Sequence, residues 1–117
     1  LGSQMNPHFA FNALNSIQNY IIDNDVDNAL LYLSEFAKLI RKTLDHSSLQ
    51  FISLSEEISY LQSYVTLENM RFNNRVKVNF DYSDLDIDEV HLPPMLLQPF
   101  IENVFEKGKN LDIMNIF

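Results

Sequence analysis

The sequence predicts a mainly helical α+β chain: a helical hairpin of the kind that dimerises into a four-helix bundle, then a helix–strand–loop–helix unit. Three observations predict it. Residues 6–45 carry two amphipathic patterns of helical period, separated only by Asn24-Asp25. Residues 76–82 alternate apolar and polar, the period of a strand. A shift of composition near residues 46–53 separates the two regimes, which divides the chain into regions 1–50 and 51–117.

The first helix is expected from about Asn6 to Asp23. Asn6 can cap it, and Pro7 at the first helical position gives up an N–H that has no partner there in any case. His8 then falls in the first turn, where unpaired backbone N–H groups and the helix dipole favour an anion. At 100° per residue, Asn12, Asn15, Asn19 and Asp23 all lie within about 60° of His8. Ala10, Ala13, Leu14, Ile17, Tyr20 and Ile21 lie opposite and are expected inside.

Asp25 can cap a second helix running to about Asp45. Its apolar set Val26, Leu30, Leu33, Ala37, Ile40 and Leu44 keeps the spacing of a helix–helix seam. Lys38, Arg41 and Lys42 stand in its second half, which suits the negative end of the dipole. Two such helices joined by a short break form an antiparallel hairpin. One hairpin leaves much apolar face uncovered, so pairing into a homodimer is expected.

Ser53-Leu54-Ser55-Glu56 is a capping box and starts a third helix, with Leu54, Ile58, Leu61, Val65 and Phe72 on its buried side. Phe72-Asn73-Asn74-Arg75 ends it, and a strand follows over residues 76–82. After an acidic loop (Asp84, Asp86, Asp88, Glu89), Pro93-Pro94 is read as opening a fourth helix through about Lys107, with Gly108 past its end. Residues 111–117 are read as a second strand.

Composition narrows the function classes. A formal charge of −8 argues against nucleic acid as a partner. The chain has no cysteine, hence no disulfide framework and no thiolate metal site. No apolar run approaches the ~18 residues needed to span a bilayer. The 117 residues begin with Leu1 and show no leader, so the chain is expected to be a piece of a longer protein.

Four motifs then stand in order. Gln4-Met5-Asn6-Pro7-His8-Phe9-Ala10-Phe11-Asn12-Ala13-Leu14-Asn15-Ser16-Ile17 resembles the Q-x-N-P-H-F-x-F-N-x-L-N-x-I signature of the LytS-type (autolysin-sensor) sensor histidine kinases. Leu54-Ser55-Glu56-Glu57 is similar to the family's L-x-E-E helix start, and Tyr64 through Glu68 with Arg71-Phe72 to its Y-x-x-x-E-x-x-R-F. Residues 93–103, Pro-Pro-Met-Leu-Leu-Gln-Pro-Phe-Ile-Glu-Asn, resemble its P-P-x-L-L-Q-P-L-V-E-N. The resemblance runs from residue 3 to about 108, and four ordered motifs are far more specific than one.

The resemblance implies that region 1–50 dimerises and accepts phosphate, and that region 51–117 is the incomplete opening of an α/β-sandwich ATP-binding domain. It implies His8 as phosphate acceptor from ATP, a response-regulator receiver domain as recipient, and a place in the cytoplasmic part of a bacterial inner-membrane sensor. Many other histidine kinases carry an acid directly after the histidine; here Phe9 stands there and cannot take a proton. Asn12, one turn below His8, either holds a water in line with a phosphoryl group or is a solvated side chain; the residues leave both open. Glu102-Asn103 resembles the family's N box, which implies Asn103 as a Mg²⁺ ligand and Glu102 as a water-orienting or basic group. Lys107 stands where the family usually has His, and can meet a phosphate only as a point charge. The family's glycine-rich segments beyond this point are not in the sequence, so these residues alone are expected to bind ATP weakly or not at all.

Other residues read as structural. Arg71 is expected to pair with Glu68 rather than with phosphate, His46 to meet the end of the second helix, and His91 to be structural or solvated. The rival to the kinase reading is a non-catalytic helical interaction module descended from the same family, favoured by Lys107. A pure phosphotransfer relay is a second rival, disfavoured because it needs no N box.

Overall fold

A computed structural model describes residues 7–71, 77–107 and 113–116, with side-chain surroundings as far as Phe105. The chain is mainly helical: α1 (Pro7–Ile22), α2 (Val26–Ser47), β1 (Ile52–Ser53), α3 (Leu54–Arg71), β2 (Lys77–Phe80), β3 (His91–Leu92), α4 (Gln98–Lys107) and β4 (Ile113–Ile116).

Local chemistry sets the hairpin. The α1 helix closes with Asn24 at φ 58°, while Asn24 N–H donates to Ile21 O (3.0 Å) and Asp25 N–H to Tyr20 O (2.8 Å). This is a Schellman ending, and asparagine tolerates the left-handed conformation it requires. Asp25 then caps α2 as expected, its carboxylate accepting from Asn28 N–H at 3.2 Å. With only three residues between them, α1 and α2 fold back and pack on each other.

The core has α3 at its centre, packed on both α2 and α4. Tyr60, Leu61, Tyr64 and Leu67 of α3 meet Phe9 and Ala13 of α1, Tyr32, Phe36 and Leu39 of α2, and Ile101 and Phe105 of α4 in one buried cluster. Polar ties cross the same seams. Tyr20 hydroxyl donates to Met70 O (3.3 Å), Thr43 hydroxyl lies 3.3 Å from Tyr60 Oη, and Lys42 Nζ donates to Ser59 Oγ (2.8 Å). Burial lowers the Lys42 pKa and raises that of Tyr60 to about 12, so the Tyr60 hydroxyl stays protonated near neutrality.

The start of α3 uses the predicted capping box. Ser53 Oγ accepts from Glu56 N–H at 3.1 Å. The two preceding donors are met by the acidic loop: Leu54 N–H donates to Val90 O (2.7 Å) and Ser55 N–H to Ile87 O (2.9 Å). Beside them β1 pairs antiparallel with β3, Ile52 opposite Leu92 and Ser53 opposite His91. The other pair is parallel, β2 with β4, Lys77 opposite Ile113. Val78 and Phe80 turn their side chains toward the helices, and among the described residues strands lie at Lys77–Phe80 and Ile113–Ile116, within the spans read at 76–82 and 111–117.

Three expectations are corrected. Pro93-Pro94 does not open the fourth helix; residues 94–97 form a turn and α4 begins at Gln98. A residue preceding proline is pushed out of the helical region, which holds for Pro93, and Met95 adopts φ 67°. On α2 the buried stripe is Ala29, Tyr32, Phe36, Leu39, Thr43 and His46, whereas Val26, Leu30, Leu33 and Leu44 are exposed and Ala37 and Ile40 half-buried. The helix carries two stripes of similar period, and the one with the large rings matches the aromatic face of α3. On α1, Phe9 and Ala13 are buried while Leu14 and Ile21 stay exposed, because the inward face turns toward α3 as well as α2. The predicted cap Asn6, the helix-ending Phe72 and the helix-closing Gly108 lie outside the described residues.

Candidate functional site

His8 is the second residue of α1 and is exposed, in the first turn as the Asn-Pro start predicts. Asn12 is half-buried one turn on, and Asn15, Asn19 and Asp23 continue the same wet face. The imidazole therefore stands at the positive end of a sixteen-residue helix with a row of amide side chains behind it. At the far end Asn19 joins Ser16, Tyr20, Asp23, Met70 and Arg71 around a shallow groove of about 150 Å³.

Phe9, 100° round from His8, turns inward instead. It is only 5% exposed. Its ring stacks on Tyr64 of α3 (centroids 4.9 Å apart, 28° between planes) and leans on Phe36 of α2 (6.1 Å, 55°). Tyr64 in turn takes Phe105 of α4 edge-on at 6.2 Å. Burial pushes the Tyr64 hydroxyl far above its ordinary range, so it stays protonated among these rings.

The second group of candidate residues is on α4. Asn103 is exposed, and Glu102 beside it is half-buried, accepting from Gln98 Nε2 at 2.8 Å. That bond fixes Glu102 along the helix while Asn103 stays open to solvent. Both offer oxygen donors, the chemistry that Mg²⁺ takes. Among the described residues no three His, Asp or Glu side chains converge as a metal cage. The side chain of Lys107 lies outside the described residues. His8 and Asn12 thus share one helix and Glu102 and Asn103 another, and the ring column from Phe9 through Tyr64 to Phe105 links the two.

One residue does more than its motif predicts. The sequence gives Glu57 only a place in a helix start, yet it is fully buried, accepting from Leu97 N–H (3.1 Å) and Met95 N–H (3.4 Å). It holds the turn that delivers α4. Burial raises its carboxyl pKa, and the two N–H groups pull the other way. A sequence signal for this exists: positions 54, 57, 61, 64 and 68 form one helical face, and two of them are glutamates. The second, Glu68, makes the expected pair with Arg71, Nε to Oε1 and Nη2 to Oε2 both at 3.1 Å. His46 is in the last turn of α2 as expected, but buried, its Nε2 3.4 Å from Glu56 Oε2. His91 is exposed, its Nδ1 3.0 Å from Glu89 O.

No helix among the described residues is long and apolar enough to cross a membrane. Comparison with known proteins gives a consistent picture. A sequence model of the histidine kinase family matches residues 1–76. The chain is 38% identical over 109 residues to the uncharacterised protein YwpD of Bacillus subtilis, covering 92% of this chain and 38% of that protein. It is 35% identical over 108 residues to the sensor histidine kinase BtsS of Escherichia coli, covering 92% of this chain and 19% of BtsS. It is 30% identical over 113 residues to the sensor protein kinase HptS of Staphylococcus aureus, covering 97% of this chain and 21% of HptS. The chain therefore spans well under half the length of these curated relatives. No solved structure matches it significantly. With the Asn-Pro-His helix start inside the matched segment, the chain belongs to the histidine kinase family.

Proposed function

We propose that the chain is the dimerising, phosphate-accepting region of a LytS-type sensor histidine kinase (residues 1–50) joined to the opening of its ATP-binding domain (residues 51–117). The observation that carries this reading is the exposed His8 in the first turn of α1, on a wet face shared with Asn12, Asn15 and Asn19. A ring nitrogen of His8 attacks the γ-phosphorus of ATP. The N–P bond forms as the bond from γ-phosphorus to the β,γ-bridging oxygen breaks, ADP leaves, and the ring proton passes to solvent. A neutral imidazole is nucleophilic in its own right, so the missing acid at Phe9 is no obstacle. Phosphoryl transfer asks the protein chiefly for position and for charge neutralisation.

On α4, the Asn103 amide oxygen is the group that would hold Mg²⁺, which when bound neutralises phosphate charge. The hydrogen bond from Gln98 Nε2 to Glu102, at 2.8 Å, supports Glu102 as the group that orients a water or takes a proton. The phosphoryl group then passes to an aspartate of a response-regulator receiver domain approaching the wet face, where Asn12 is suited to align a water that attacks the aspartyl phosphate and releases aspartate and inorganic phosphate. In the whole protein this region belongs to the cytoplasmic part of a bacterial inner-membrane sensor.

The uncovered stripe supports homodimerisation. Val26, Leu30, Leu33 and Leu44 are each about half exposed or more, with Phe11, Leu14, Ile21 and Ile22 of α1 exposed as well. Covering the remaining apolar area of each such side chain contributes about 1 kcal/mol, so two copies together reach the order of 10 kcal/mol, comparable with the roughly 4–15 kcal/mol cost of association.

The test is incubation of the full-length protein with γ-labelled ATP. Acid-labile label that disappears in His8→Gln is expected. Absence of label in the wild-type protein would favour the non-catalytic interaction module instead.

A further inference from the structure

His8 and Phe9 are neighbours in sequence but belong to different surroundings: one faces solvent, the other is clamped between rings of α2 and α3. The clamp does not end there. Tyr64 carries the contact on to Phe105, which stands two residues from Asn103 and three from Glu102 on α4. Ile101, fully buried, belongs to the same cluster. Three rings from three helices thus form a continuous path between the acceptor turn and the helix bearing the proposed metal-binding amide.

Such a path transmits displacement. Rings have few torsions and pack in defined offset and edge-on arrangements. A close-packed interior does not absorb a lost ring without movement of its neighbours. A shift of Phe9 is carried to His8 by the rigid helical backbone they share. In-line transfer is sensitive to such shifts, since a misplacement of about 1 Å can cost on the order of 100-fold in rate.

We propose that Phe9 is a positioning residue for phosphoryl transfer to His8, setting the acceptor turn against α4 through Tyr64 and Phe105. The inference rests on the kinase reading given above. It also accounts for a ring at the position after the histidine: where an acid would serve as base, Phe9 serves as a steric register.

The test uses the full-length protein as wild type, His8→Gln, Phe9→Leu, Phe105→Leu and the double leucine variant. Two routes of loading His8 are compared. One is γ-labelled ATP, which needs α4; the other is phosphoramidate, a small donor that needs only the imidazole. Phe9→Leu is expected to lower the labelling rate at saturating ATP by about tenfold or more while leaving the KM for ATP and the phosphoramidate rate within about twofold. Phe105→Leu, remote from His8 in sequence, is expected to give the same split, and the double variant to be no slower than the worse single one, because both act on one column. Labelling of Phe9→Leu from ATP at or above the wild-type rate overturns the inference. So does a parallel fall in phosphoramidate loading, which would make Phe9 a plain core residue of the helix start. If the wild-type protein takes no label from ATP, the kinase reading itself fails; if it is labelled and both leucine variants are indifferent, only the positioning role fails.

Discussion

Replacing Glu57 by alanine is expected to undo the turn that launches α4, and to cost much more than replacing it by glutamine. The residue is 0% exposed and its carboxylate accepts from two backbone N–H groups, Leu97 at 3.1 Å and Met95 at 3.4 Å. Alanine leaves both donors without their acceptor, at about 1–3 kcal/mol each, or roughly 2–6 kcal/mol before any cavity cost. Met95 sits at φ 67°, a conformation that costs a non-glycine residue about 1–2 kcal/mol and that these bonds hold in place. Glutamine keeps one acceptor and turns an NH₂ toward the other N–H, so it forfeits one bond while removing the buried charge, a net cost of about 1–2 kcal/mol. The pH dependence separates the two effects. Burial raises the Glu57 carboxyl above its ordinary 4.5, against the opposing pull of the Leu97 and Met95 N–H groups and of His46. The folded chain therefore binds this proton more tightly than the unfolded chain. The contribution is favourable below the ordinary glutamate range and is lost as pH rises from there through the raised value. Urea unfolding followed by circular dichroism across that window should show the wild type losing stability with rising pH relative to Glu57→Gln. Amide exchange at Met95 and Leu97 should accelerate sharply in Glu57→Ala. Equal costs for alanine and glutamine, or identical pH slopes for wild type and glutamine variant, would refute the reasoning.

Two further outcomes follow from the same geometry. Arg71→Ala strips the fork from Glu68, which is 3% exposed, and is expected to cost about 3–5 kcal/mol in urea unfolding; Arg71→Lys should recover only part of it, because an ammonium cannot make both 3.1 Å bonds at once, and full recovery would show the fork to be unimportant. Leu30→Lys combined with Leu33→Lys, both on the exposed stripe, should convert a dimer into a helical monomer by light scattering, and a dimer that survives both charges would place the interface elsewhere.

The elements of this fold are largely legible in the sequence because their signals are local. Asn24-Asp25 closes one helix and caps the next through bonds within five residues, and Ser53 caps α3 within three. The inward and outward assignment on α2 is not legible, and the reason is physical. Both stripes, 26-30-33-37-40-44 and 29-32-36-39-43-46, repeat with helical spacing, so period alone cannot choose between them. The choice is made by α3, some twenty residues later, whose Tyr60 and Tyr64 supply partners for the stripe holding Tyr32, Phe36 and Thr43. The stripe left over is the more aliphatic one and carries the seam spacing, which is why its exposure argues for a partner surface rather than for an error of pattern. The start of α4 escapes the sequence for a related reason: Pro-Pro is a strong local stop-and-start signal, but the helix waits four residues until a carboxylate from α3 has turned the chain.

The candidate site divides along the same line. The wet face of α1 follows from 100° per residue and needs no tertiary knowledge, so His8, Asn12, Asn15 and Asn19 emerge from the sequence in the places the fold gives them. What the rotation also dictates is that the residue after His8 must point elsewhere. In a one-layer helix that direction would be a second solvent face, and Phe9 would be an exposed apolar side chain. It becomes a buried wedge because α2 and α3 both present rings to that spot, Phe36 and Tyr64. The register between the first turn of α1 and α4 is therefore a property of three helices together, and on the proposed kinase reading the acceptor His8 and its anchor Phe9 are consecutive residues. On that reading, anything that moves Phe9, whether a mutation in α3 or a rotation of the hairpin, moves His8 with it through the helical backbone they share.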